Sequence, residues 1–237
     1  MLIIPAIDLK GGKCVRLRQG RADDAVVYSG DPVAMARRWV EEGAKYLHVV
    51  DLDGAFQGRP AHTEVIGQIV RAIDIPVEVG GGLRTDEDVR ALLAVGVDRA
   101  IVGTRAWAEP ETLQRLAGQF GRQLAVGIDA RDGRVQVKGW VETTEQLATD
   151  LARKAEAMGV ECIIYTDTSK DGMMAGTNVR AMDEMCGAVT CSVIASGGVT
   201  SRTDAEALRG LKRRNLVGAI VGKALYEGRV TLKELEA

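Results

Sequence analysis

The sequence predicts an α/β fold, a (β/α)8 TIM barrel built from two similar half-barrels. Three observations lead there: short apolar runs that recur about eight times, helical patterns between them, and an echo of the first half in the second. The runs are Leu2–Asp8, Tyr46–Asp51, Pro76–Val79, Arg99–Val102, Leu124–Asp129, Cys162–Asp167, Ser192–Ser196 and Ala219–Val221. They are nearly continuous in Ile, Val, Leu and Ala. Such runs suit strands buried on both faces, as in a parallel sheet covered by helices.

Helical patterns fill the intervals. Asp31-Pro32 opens one, a capping residue followed by proline at the first helical position, and the pattern runs through Ala34, Ala36, Trp39 and Val40 to stop at Gly43. Thr85 or Asp86 can cap another, and Thr143–Met158 is expected to be the longest. An open doubly wound sheet shares this alternation, because periodicity does not report closure. No linker-like or low-complexity stretch divides the 237 residues, so one domain is expected, with half-barrels of approximately 1–120 and 121–237.

The halves correspond in order. Glu42–Asp51 matches Met158–Asp167, and Gly80-Gly81-Gly82-Leu83 matches Ser196-Gly197-Gly198-Val199, both at an offset of 116. Val102-Gly103-Thr104 meets Val221-Gly222-Lys223 at 119, and Ile7-Asp8 meets Ile128-Asp129 at 121. Four ordered matches favour two fused half-barrels over chance likeness among β/α units.

Composition narrows the function. With 46% hydrophobic and 27% charged residues and a net charge of −2, nothing in bulk favours nucleic acid or an acidic membrane as partner. The Lys212-Arg213-Arg214 run reads as a solvated helix end. Cys14, Cys162, Cys186 and Cys191 form no C-x-x-C pair, and His48 and His62 are the only histidines, a poor basis for a metal cage. Reduced thiols, an N-terminal apolar run without a basic flank and no long apolar stretch make the cytoplasm the expected location, and the lack of a strongly apolar surface stripe makes a monomer the expected state.

In such a barrel the chemistry collects at the carboxyl ends of the strands. Gly81 and Gly82 with Gly103 and Thr104, and Gly197 and Gly198 with Gly222 and Lys223, fall there in both halves. Glycine lets a backbone approach an anion closely, and N–H groups at a helix start supply donors. The same glycines could simply make tight turns. As matched pairs they read as two phosphate sites, which implies an elongated bisphosphate ligand. Asp8 and Asp129 end the first and fifth strands, opposite each other in a ring of eight, and read as general base and general acid. The polar loop Thr166–Thr177, with Asp171 and with Gly172 and Gly176, could close over a ligand, and Asp51–Gly58 is its counterpart. Trp140 could stack on a flat heteroaromatic base or pack in the core. His48, inside a strand, reads as a satisfied core residue.

The runs Pro5–Leu17, His48–Ala55, Gly80–Arg84, Gly127–Ala130, Tyr165-Thr166-Asp167 with Lys170-Asp171-Gly172, and Ser196–Val199 resemble the phosphoribosylformimino-aminoimidazole carboxamide ribotide isomerases of histidine biosynthesis. The resemblance covers essentially the whole chain. It implies an Amadori rearrangement of an aminoaldose to an aminoketose without cofactor or metal. It makes Asp8 the base at C2 of the ribose and Asp129 the acid at the ring oxygen, with Thr166 and Asp171 orienting the substrate. Met173-Met174 departs from the threonine and leucine that many relatives carry after the glycine.

Three alternatives share the plan. The cyclase subunit that works with a glutaminase also uses two aspartates, but differs around the first of them. A bifunctional isomerase would also serve tryptophan biosynthesis. A barrel that only binds would have no need for Asp8 and Asp129 together. A dinucleotide-binding sheet is disfavoured because no G-x-G-x-x-G follows the first strand.

Overall fold

Eight parallel strands pair in a ring that closes on itself, which decides between barrel and open sheet. The computed structural model describes residues 1–18, 21–103, 110–137, 140 and 142–237. In chain order the elements are β1 (Leu2–Lys10), β2 (Lys13–Arg18), β3 (Arg21–Ser29), α1 (Pro32–Glu41), β4 (Leu47–Asp51), α2 (Leu52–Gln57), α3 (Thr63–Ala72), β5 (Val77–Gly80), α4 (Asp86–Ala94), β6 (Arg99–Gly103) and α5 (Pro110–Phe120). There follow β7 (Leu124–Arg131), β8 (Arg134–Val137), β9 (Glu142–Leu147), α6 (Ala148–Ala157), β10 (Cys162–Asp167), α7 (Val179–Ala188), β11 (Ser192–Ser196), α8 (Arg202–Gly210), β12 (Leu216–Val221), α9 (Lys223–Tyr226) and α10 (Leu232–Glu236). The ring order is β1-β4-β5-β6-β7-β10-β11-β12, and β12 returns to β1 in parallel.

Side-chain parity explains the continuous apolar runs. Ile3, Ile7 and Leu9 of β1 face outward to the helices, while Ile4 and Ala6 face into the barrel with Tyr46, Ile101, Ala125, Cys162, Ile164, Ile194 and Ile220. Both faces are buried, so neither demands polar residues. Asp31 caps α1 by accepting from the Ala34 N–H, and Pro32 takes the first helical position. Thr85, rather than Asp86, caps α4, in a capping box with Asp88.

Two hairpins rise above the ring, and neither was anticipated. Gly11-Gly12 joins β1 to β2 and Asp132-Gly133 joins β7 to β8, each pair having positive φ at both residues, as the tight turn of a twisted hairpin requires. The expected helix at Thr143–Met158 is corrected: residues 142–147 form β9, paired with β8, and α6 begins at Ala148. Thr143 accepts from the Gln136 Nε2 at 3.0 Å and the Thr144 hydroxyl donates to the Val135 carbonyl at 3.0 Å. These β-branched residues therefore gain strand pairing that a helix would deny them. Among the described residues α5, at 11 residues, is the longest helix. The Asp51–Gly58 loop is largely the short helix α2.

Trp39 of α1 is fully buried and meets the Tyr226 ring edge-on at 5.2 Å, joining the first helix to α9. Trp39→Ala should cost about 3–5 kcal/mol in urea-induced unfolding, the usual scale for truncating a buried tryptophan.

Candidate active site

A cavity of about 520 Å³ opens at the carboxyl ends of the barrel strands. Asp8 and Asp129 stand on β1 and β7, diametrically opposite in the ring, and both line it. Their settings differ. Asp8 pairs with Arg16 of the adjacent hairpin strand, Nη1 to Oδ2 at 2.8 Å, and the Arg16 Nη2 also donates to the Ala6 carbonyl at 2.8 Å. The guanidinium lies over the Tyr226 ring, 5.2 Å from its centre. Asp129 receives hydrogen bonds from Trp140 and Thr166, the latter its register partner on β10. Burial pushes the Asp129 carboxyl above its ordinary value, opposed by these two bonds and by the nearby His48.

Asp171 joins them. The turn after β10 carries it, with the Asp171 N–H donating to the Asp167 carbonyl at 3.0 Å. Burial pushes its carboxyl up to about 6; Arg16 opposes this, while Asp8 and Asp129 add to it. Three carboxyl groups thus share one mouth, and burial raises two of them, Asp129 and Asp171, above the ordinary carboxyl value.

The glycine loops have a structural reason of their own. Gly81 (φ 112) runs against the Asp51 backbone, and Gly197 (φ 90) against that of Asp167, where a Cβ would stand 2.6 Å from the Asp167 carbonyl oxygen. Gly82 lies against Arg59 and Gly54, and Gly198 against Gly176. Gly81, Gly82, Gly103, Gly197, Gly198, Gly222 and Lys223 all line the cavity, while Gly176 stands behind the wall and backs Gly198. Thr104 lies outside the described residues. Cations border the same space: Arg16, Arg84, Lys170 and Lys223. The Lys223 Nζ donates to the Gly172 carbonyl at 3.3 Å.

Trp140 and Thr166 are in the wall, and Met174 is there as well, whereas Met173 is exposed. His48 does not join the apolar layer: it faces the barrel interior, lines the cavity and pairs through Nδ1 with the Glu78 carboxylate at 2.8 Å. Arg16 was passed over as a site residue, as were Arg84 and Gln136, which also line the cavity. The available signals were Gly11-Gly12 and Asp132-Gly133, which mark the hairpins that carry Arg16 and Gln136 over the mouth. Among the described residues no group of His, Cys, Asp and Glu could hold a metal ion, and no helix is long and apolar enough to cross a membrane.

The site can hold an elongated anion and move protons at its middle. Comparison with known proteins agrees. The chain matches the family described as histidine biosynthesis protein over residues 2–231. The 1-(5-phosphoribosyl)-5-((5-phosphoribosylamino)methylideneamino)imidazole-4-carboxamide isomerase of Picosynechococcus sp. is 53% identical over 234 residues, 99% of this chain and 91% of its own. Its namesake from Methylococcus capsulatus is 49% identical over 235 residues, covering 99% and 97% of the two chains. That of Thioalkalivibrio sulfidiphilus is 50% identical over 237 residues, covering 100% and 98%.

Asp171 yields a test of these electrostatics. Its folded value, about 6, exceeds the ordinary 3.8, so between those limits the folded chain keeps a proton that the unfolded chain has lost. The group therefore costs stability progressively as pH rises through that window, and fully above it. Asp171→Asn should stabilise the protein by about 1–2 kcal/mol at pH 7.5 and by little at pH 4, measured by urea unfolding. An equal gain at both pH values would assign the effect to packing.

Proposed function

The chain belongs to the histidine biosynthesis protein family, and from that premise we infer that it is the ribotide isomerase itself, catalysing an Amadori rearrangement of a bisphosphorylated aminoaldose. The observation that carries the reading is the full-length identity to isomerases so named, in a chain whose Asp8 and Asp129 face each other across one cavity bordered by cations.

The chemistry follows from the setting. The two glycine loops and their bordering cations hold a phosphate at each end, so the reacting ribose lies between the aspartates. Asp129, whose carboxyl burial raises, gives its proton to the ring oxygen as the C1–O bond breaks. The amine lone pair fills the gap and leaves a protonated Schiff base. That cation acidifies the C2 proton, which the Asp8 carboxylate removes. The electron pair from the broken C–H bond makes the C1–C2 double bond and returns the nitrogen to an amine. Protonation at C1 and loss of the C2 hydroxyl proton give the ketose. Electrons balance within the substrate, and only protons pass to and from the protein.

The roles divide by charge. Arg16 keeps Asp8 beside a positive group, which suits the partner that must start as a carboxylate. Thr166 donates to Asp129, Asp171 supplies a second carboxyl at the mouth, and Trp140 offers a flat face to the imidazole. A cytoplasmic monomer belongs to the same reading. It is supported by four free cysteines, whose thiols burial pushes up to about 11 or 12, and by exposed apolar residues that are scattered among the described ones.

The purified chain should convert the aminoaldose ribotide to the aminoketose without added cofactor. Asp8→Asn and Asp129→Asn should each lower kcat by about 10²–10⁴-fold with little change in substrate affinity. Tight binding of the substrate without turnover by the wild type would overturn the isomerase reading and favour a binding-only barrel or a cyclase subunit.

A further inference from the structure

Beneath the cavity floor lies a buried ionic chain that the reaction described above does not use. Glu78 of β5 is fully buried inside the barrel, and its two carboxylate oxygens face different partners. Oε1 meets the His48 Nδ1 at 2.8 Å, and Oε2 meets the Arg99 Nη1 at 3.2 Å. The strand register makes this arrangement: His48 pairs with Glu78 across β4 and β5, and Glu78 with Arg99 across β5 and β6. Arg99 in turn donates to the Cys162 Sγ at 3.3 Å and lies over the Tyr46 ring, 5.6 Å from its centre. Burial works against the Arg99 charge, but Cys162, Tyr46, Glu78 and Asp98 outweigh it and raise its pKa.

We propose that Glu78 and Arg99 form a positioning pair that fixes His48 as the Nδ1–H tautomer, so that Nε2 faces the cavity as a hydrogen-bond acceptor for a hydroxyl of the bound sugar. The argument has three steps. A carboxylate ion-paired to a guanidinium, as Glu78 is to Arg99, accepts hydrogen bonds and cannot donate. The nitrogen 2.8 Å from it must therefore carry the proton. With Nδ1 turned to Glu78, the ring edge left to the cavity bears Nε2, which in the neutral ring is an acceptor. The charged groups around the ring are Asp8, Arg16, Glu78, Arg99, Asp129 and Asp171. Among the described residues the ring makes one hydrogen bond, to Glu78, and the two arginines are engaged with Asp8 and Glu78. A sugar hydroxyl is the donor this position lacks.

The identity of the ligand rests on the isomerase reading, but the tautomer does not, so the two can fail separately. Long-range proton–nitrogen NMR correlations on the ligand-free protein report the tautomer of each ring. The only other histidine supplies a built-in contrast. His62 meets Asp53 through Nε2 at 2.6 Å and should be the opposite tautomer, and His62→Gln removes its signals. At pH 9 the His48 ring should be protonated at Nδ1 alone. Protonation at Nε2, alone or with Nδ1, would overturn the proposal.

Glu78→Gln sharpens the test without changing shape. Arg99 should claim the amide oxygen, turning the NH2 group to His48, and the ring should switch to Nε2–H. The kcat/KM should then fall about tenfold or more, since an acceptor has become a donor against the sugar. An unswitched ring or unchanged kcat/KM in a folded variant would count against the pair. His48→Gln, which keeps an oxygen near the Nε2 position, should retain more kcat/KM than His48→Leu, and equal losses would refute the acceptor role.

Discussion

Two backbone approaches set the geometry on which the site depends. Gly81 lies against the backbone of Asp51, and Gly197 against that of Asp167, in each half at the point where the second and third barrel strands leave the ring. Neither approach leaves room for a side chain. The aspartates then tie down the loops that follow them. The Asp51 carboxylate accepts from the N–H groups of Gly54, Ala61 and His62, and that of Asp167 from Ser169 and Asn178. The proposed phosphate seats and the loops beside them are therefore fixed together. In that reading a phosphate would meet donors that need no reorganisation, which is where preorganised electrostatics gains its strength.

That rigidity matters because the floor and walls carry opposed charges. Asp8, Asp129 and Asp171 would repel one another if all were ionised, and burial raises the cost further. Arg16 pairs with the first, while burial shifts the other two toward holding their protons. The proposed bisphosphate would bring more negative charge, which the bordering arginines and lysines can offset. In that reading the phosphate seats take part in the acid–base chemistry, because phosphate charge held at the rim does not add to the field at Asp129.

Much of this was legible in the chain because its signals are local. Buried parallel strands write themselves as apolar runs, and the aspartates and glycines at their ends follow from strand-end placement alone. The hairpins are less legible, because Gly11-Gly12 and Asp132-Gly133 are their only sharp marks and their strands alternate polar with apolar residues instead of running apolar throughout. The Glu142–Leu147 strand was taken for helix because its pairing with β8 is a tertiary fact that overrides a weak local preference. His48 is the satisfied strand residue that the sequence predicts, bonded to Glu78, but its place on the cavity wall is not legible locally. Parity assigns Tyr46, His48 and Val50 to one face of β4, but only closure of the ring reveals that this face is the interior beneath the mouth. Gly176 was placed at the ligand by its position in a polar loop, whereas its carbonyl packs behind Gly198.

The halves also explain how one scaffold yields unlike acids. The register Leu9↔Cys14 and Lys10↔Lys13 in the first hairpin is repeated as Ala130↔Val135 and Arg131↔Arg134 in the second, 121 positions on. By that correspondence the position of Arg16 is taken by Val137. Both side chains reach the cavity, but only one brings a charge. Asp8 consequently faces a guanidinium, while Asp129 is held by a threonine and a tryptophan. A symmetric pair of carboxyl groups would have no reason to divide the work of base and acid. A few side-chain differences on a repeated plan, Arg16 against Val137 and Thr166 against Val50 among them, break the symmetry at the two positions where the proposed chemistry needs it broken.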